Sequence, residues 1–195
     1  MPGRDDIQHS ILIVSGVERF DALIRKMLRP GMFMSVEFKN NAAAARRCIL
    51  ERYYDLIVVN APLPDENGVD LVLDMAVSCS ASILIIVPSG TYEDVLERVT
   101  DHGILALEKP FPTVRLSHAV RFLSAQQAAI RRMEKKVRDA EERTDDLRII
   151  DKAKFLLMEK KHMTEEEAHR FIGKKAMDQG MTRRRIARQL IDEYE

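Results

Sequence analysis

Apolar residues follow two rhythms along this chain. In the first, short runs rich in Ile, Leu and Val stand apart: Ile11–Val14, Leu56–Val59, Ile83–Val87 and Ile104–Leu107. Continuous apolar runs of this length read as strands buried on both faces. A fifth stretch, Phe33–Phe38, alternates and reads as another strand. In the second rhythm, apolar positions recur three to four apart, as one buried helix face requires. Val17–Leu28 does so at Phe20, Leu23, Ile24, Met27 and Leu28, with Pro30-Gly31 as its stop. Ala42–Tyr53, Gly68–Val77 and Tyr92–Thr100 read as helices too. Strand–helix alternation of this kind predicts an α/β fold, a five-stranded doubly wound parallel sheet with helices on both faces. Sites in such sheets lie at the carboxyl ends of strands, here Ser15-Gly16, Asn60, Val87-Pro88-Ser89 and Glu108-Lys109.

After Pro112 no helix breaker intervenes for a long way. From Leu123 the apolar spacing becomes heptad-like, through Ile130, Met133, Val137, Ala140, Thr144 and Leu147. Mixed charges lie between these positions, as at the flanks of a coiled coil. Residues 123–147 are therefore expected to pair with a second copy, weakly because of Ala140 and Thr144. A lone, ion-paired linker helix is the other reading.

Residues 148–195 predict a small all-α bundle of three helices. Arg148–Lys161 sets Ile149, Ile150, Ala153, Leu156, Leu157 and Met158 inward. Thr164-Glu165-Glu166-Glu167 is a capping box that opens the second helix. Ala168, Phe171, Ile172, Ala176 and Met177 are its expected inner face, and Gly180 its stop. Thr182 caps the third helix, with Ile186, Ala187, Leu190 and Ile191 inward. Gly173, in mid-helix, costs about 1 kcal/mol against Ala.

Charge separates the ends of the chain. Its 195 residues are neutral overall. Residues 1–122 carry 13 Lys/Arg against 16 Asp/Glu, whereas Arg148–Ile191 carries 12 against 6. A basic face on a compact bundle suits a phosphate backbone. Lys154, Lys174, Lys175, Arg183, Arg184 and Arg185 are the expected contacts. Cys48 and Cys79 lack metal spacing and read as free thiols. Met1–Ser10 is polar, and no apolar run is long enough to span a bilayer, so a cytoplasmic protein with no membrane partner is expected. None of the five histidines has a partner at nucleophile or metal spacing. The expectation is a protein that is not an enzyme, with no cofactor and no metal.

The basic stretch resembles the ANTAR domain, an RNA-binding antiterminator module. The match runs through Ala153-Lys154, Leu157-Met158-Glu159, Met163-Thr164-Glu165, Glu167-Ala168, Arg170-Phe171-Ile172, Lys174–Asp178 and Ile186-Ala187. Phe155, His162 and His169 depart from the family's pattern. Residues 9–123 resemble a response-regulator receiver domain, of flavodoxin-like fold. Here the carriers are the strand ending at Asn60, Pro64 and Gly68 at four and eight places beyond it, and Lys109-Pro110-Phe111, whose X–Pro bond is expected to be cis. The receiver's chemistry is reduced. Ser15 and Gly16 stand at the acid pair that would hold Mg²⁺, Asn60 at the phosphoacceptor, Val87 at the hydroxyl and Ala106 at the switch aromatic; Lys109 alone is kept. Glu18, Asp65 and Glu66 are the remaining acids near enough to rebuild a site. Together the resemblances imply three parts: a pseudo-receiver at 1–122, a coiled-coil linker helix at 123–147 and an ANTAR bundle at 148–195. The implied function is a dimeric, RNA-binding transcription antitermination regulator with a leader stem-loop as partner. Its receiver would be unphosphorylated and controlled by a regulatory protein partner or by dimerisation. A protein-binding adaptor that makes no contact with RNA is the alternative.

Overall fold

The computed structural model describes residues 9–28 and 31–194. Pro30, read above as part of a helix stop, and most of the polar stretch Met1–Ser10 lie outside the described residues. Five parallel strands form one sheet in the order β2-β1-β3-β4-β5. They are β1 His9–Ser15, β2 Phe33–Lys39, β3 Leu56–Asn60, β4 Ser82–Pro88 and β5 Leu105–Lys109. The intervening helices are α1 Glu18–Met27, α2 Ala42–Glu51, α3 Val69–Ser78 and α4 Tyr92–Thr100. Three more follow: α5 Thr113–Lys161, α6 Glu165–Asp178 and α7 Arg183–Tyr194.

The continuous apolar runs end up in the middle of the sheet, where both faces are covered. Alternate residues serve opposite cores, as the two-residue period of a strand dictates. Leu12, Val14, Ile57, Val59, Ile83 and Ile85 pack with α2, α3 and α4. Ile11, Ile13, Val58, Leu84 and Ile86 pack with Phe20 and Ile24 of α1 and with Leu116, Val120 and Leu123 of α5. β2 lies at the edge and is largely open to solvent after Phe33. There the Tyr54 hydroxyl donates to Glu37 at 2.5 Å and lies 2.8 Å from Cys48 Sγ. That hydrogen bond, with a second from Lys39, pulls the Glu37 carboxyl down to about 2.

α5 is one unbroken helix of 49 residues, so neither expected boundary, at 122 or at 147, falls on a break. The chain instead divides into two compact units between Arg131 and Arg132. The first unit reaches past residue 122 because α5 stays on the foot of the sheet for two further turns. Gln127 Nε2 donates to the Ser80 carbonyl (3.0 Å), and Gln127 Oε1 accepts from the Ser82 hydroxyl (2.9 Å). Arg131 pairs with Asp55, a buried carboxylate that also accepts from the Ser10 amide (2.7 Å) and hydroxyl (3.0 Å). The expected seam residues Ile130, Met133, Val137, Ala140, Thr144 and Leu147 all lie exposed on α5.

In the second unit, the end of α5 packs with α6 and α7 around Ala153, Leu157, Ala168, Ile172, Ala176, Ile186, Ala187 and Leu190. The capping box forms: the Thr164 hydroxyl accepts from the Glu167 amide, and the Glu167 carboxylate accepts from the Thr164 amide. Gly180 takes a left-handed conformation (φ 61°) that ends α6. Three expected inner residues face solvent instead. Met158, Phe171 and Met177 are exposed, Met177 by 83%. The inner stripe of α6 is Ala168, Ile172 and Ala176, four apart, and Phe171 and Met177 each lie about 100° from a member of it. Small alanines bring the helices together along that stripe and leave the larger neighbours outside.

Candidate nucleic-acid interface and the acceptor pocket

At the carboxyl ends of β1, β3 and β5, the receiver positions do come together. Asn60, buried at the end of β3, donates from Nδ2 to the Ser15 hydroxyl at 3.0 Å. That hydroxyl also accepts from the Val17 amide (3.1 Å). Lys109 Nζ donates to the Ala61 carbonyl at 2.5 Å, and burial lowers the pKa of its ammonium. The Lys109–Pro110 bond is cis, as expected, and Ala61–Pro62 is cis too. Val87 and Ala106 are buried side chains with no polar atom to offer.

The remaining acids point elsewhere. Asp65 accepts from the Ala42 and Ala43 amides (2.9 and 3.0 Å) at the start of α2, and these bonds lower its pKa. Glu66 takes both ends of the Arg46 guanidinium, at 2.7 and 3.3 Å. Glu18 is an exposed residue in the first turn of α1. Space closes along with charge. A β-carbon at position 16 would lie 2.4 Å from Pro64 Cγ and 2.7 Å from Cδ, far inside van der Waals contact. Mg²⁺ needs hard, anionic oxygen ligands. A hydroxyl already hydrogen-bonded, a glycine and an amide bring no carboxylate to it and do not fit it.

The basic residues of the second unit fall into two kinds. Some are already engaged. Lys154 Nζ pairs with Asp151 (2.8 Å) and Glu165 (2.9 Å), which raises its pKa. Arg184 Nη1 lies 2.7 Å from Asp146. The Arg183 guanidinium lies across α6 at Gly173, where a β-carbon would sit 3.6 Å from Nη2. A β-carbon there would only touch the guanidinium at ordinary van der Waals distance, so the arginine does not require the glycine. Lys175 lies 4.0 Å from Glu193 and 5.9 Å from the Phe171 ring centre. Lys174, Arg183 and Arg185 are exposed and make no ion pair among the described residues. Sequence reasoning missed a further basic group around the α5–α6 turn: Lys161, His162 and Arg170, gathered about the exposed Phe171. The signal was present, since assigning Phe171 to the surface would have set an aromatic ring between Lys161, Arg170 and Lys174.

Residues 138–191 match the ANTAR domain family, beginning ten residues before the bundle boundary expected at 148. The sheet and its helices have the receiver fold. They superpose on the signal receiver domain of an HD domain-containing protein from Pseudomonas fluorescens Pf-5 with a TM-score of 0.58, at 21% identity, over 68% of this chain and 97% of that one. The chain belongs to the ANTAR-type response regulators, in which a receiver domain precedes a C-terminal ANTAR domain. It is similar to the transcriptional regulatory protein PdtaR of Mycobacterium tuberculosis, at 30% identity over 139 residues, which is 71% of this chain and 67% of that protein. It is also similar to the protein PetR of Rhodobacter capsulatus, at 31% over 101 residues, covering 52% and 42% of the two chains. Among the described residues, no helix is long and apolar enough to cross a membrane.

Proposed function

We propose that this protein is a dimeric, RNA-binding antitermination regulator whose receiver accepts no phosphoryl group. The ANTAR match over residues 138–191, on a segment whose exposed faces are basic, carries the RNA reading. The partner is a structured leader RNA. Lys174 and Arg185 are its foremost phosphate contacts because they are exposed and unpaired, with Lys175 beside them. Lys154 and Arg184 contribute once their present partners are exchanged for phosphate, and Arg183 from its exposed place beside α6. Residues 1–122, 123–147 and 148–195 act as receiver, dimerising joint and RNA module. The joint is proposed because Ile130, Met133, Val137 and Leu147 form an exposed apolar seam on one helix. A pocket without carboxylates at positions 15, 16 and 60 leaves control to a protein partner or to dimerisation.

Salt-dependent binding of a leader stem-loop by the full chain tests the RNA reading. Log affinity is expected to fall linearly with log salt, and each phosphate contact removed flattens the slope by roughly 0.7 to 0.9. Absence of binding even at low salt refutes it in favour of a protein adaptor. Mass spectrometry after acetyl phosphate treatment tests the receiver. A stable phosphoryl adduct there refutes the quiet pocket.

A further inference from the structure

We infer that the groove between the C-terminal end of α5 and the outer face of α6 holds an unpaired RNA base, stacked on Phe171. This rests on the RNA reading above and adds to it the side chain on which a loop base is stacked.

The groove is a shallow, solvent-open depression of about 520 Å³ lined by Lys161, His162, Met163, Arg170, Phe171 and Lys174, with Glu167 at its edge. Phe171 is 37% exposed although it lies beside the core residue Ile172. Exposing an aromatic ring costs hydrophobic free energy unless something covers it. The charges around it say what the cover is. Lys161, Arg170 and Lys174 make no ion pair among the described residues. Arg170 reaches only the Glu166 carbonyl, and the Lys161 ammonium lies 5.3 Å from the Tyr194 ring centre. The one carboxylate at the edge, Glu167, is committed to the amide and hydroxyl of Thr164 at 2.8 and 3.0 Å. An aromatic platform in a concave, cationic setting matches an unstacked base flanked by phosphates. A regular stem offers phosphates alone, and the ring would contribute nothing to it. At the groove's rim His162 turns the chain in a left-handed conformation (φ 54°) directly before the capping box.

The full chain is titrated with an RNA hairpin carrying 2-aminopurine in its unpaired loop, and separately with the fully paired duplex of the same stem. The wild type is expected to bind the hairpin more tightly and to quench the loop fluorescence. Phe171→Ala is expected to lose about tenfold or more on the hairpin, to lose far less on the duplex and to abolish the quenching. Phe171→Trp keeps both affinity and quenching, which separates stacking from any effect on folding. Lys174→Ala flattens the salt slope on both RNAs. If Phe171→Ala binds and quenches the hairpin as the wild type does, the base site is overturned while the RNA reading stands. If the wild type binds neither RNA and a polyglutamate peptide occupies the groove, both are overturned.

Discussion

Replacing Gly16 with Ala isolates the steric closure of the acceptor pocket. The new methyl would approach two ring carbons of Pro64 to 2.4 and 2.7 Å, where carbon pairs prefer roughly 3.5 to 4.0 Å. The ring cannot swing aside as a flexible side chain would. It is tied to the loop backbone, and the next two residues hold that loop down, Asp65 on α2 and Glu66 on Arg46. Forcing a methyl into such a place costs about 1–3 kcal/mol. Against this, Gly→Ala restricts the unfolded chain and returns about 0.4–1 kcal/mol. A double-mutant cycle with Pro64→Ala removes the opposing term from the reading. Once Cγ and Cδ no longer close the ring, Gly16→Ala is expected to be neutral or slightly stabilising. The coupling between the two changes is then about 1–3 kcal/mol, read from urea unfolding of the four proteins by circular dichroism. Additivity to within about 0.5 kcal/mol would refute the closure. The same overlap means that a carboxylate restored at position 16 meets the proline ring at its β-carbon.

Three further outcomes follow from the cores and the seam. Ile130→Asp with Val137→Asp is expected to give monomers by sedimentation; a double variant that still dimerises moves the interface off α5. Glu37 titrates near 2 when folded and near 4.5 otherwise, so its stabilisation is complete above about pH 4.5 and is lost as the pH falls toward 2. At about 1.36 kcal/mol per pH unit that is at most about 3 kcal/mol, less what solvent screens; Glu37→Gln should flatten acid unfolding over that window, and an unchanged profile counts against the Tyr54–Glu37 bond. Leu157→Ala, in the fully buried stripe of the ANTAR core, is expected to cost about 2–5 kcal/mol in chemical denaturation, and a loss under about 1 kcal/mol would place Leu157 outside the core.

Local signals were legible and contacts across the fold were not. Strands β1, β3 and β4, the Thr164 capping box and the Gly180 stop each depend on neighbouring residues, and the chain declares them directly. The pocket residues Ser15, Asn60 and Lys109 could be placed from motif spacing, because the ends of parallel strands converge in this fold. The approach of Pro64 to Gly16 could not, since it depends on how one loop lies against another. Periodicity located the inner side of α6 but did not choose between Ile172 and its neighbour Phe171; packing against α7 decided that. Gly173 read as a cost, and the structure shows no return for it, since a β-carbon there would meet Arg183 only at ordinary contact distance. Asp55 and Gln127 carried no signal of their foot-of-sheet contacts, which join residues 45 apart or more.

The exposed span of α5 beyond Arg131 also makes the molecule its own reporter. Arg132, Lys135, Lys136, Arg138 and Arg143 put a tryptic site on nearly every turn there, and the apolar seam runs beside them. Cleavage within this span needs the helix to open locally, and opening is suppressed when a second helix lies along the seam. Digestion should therefore slow as protein concentration rises, with fragments that begin and end between residues 131 and 147. The dependence of the cleavage rate on protein concentration would then report the self-association of the seam, with no label.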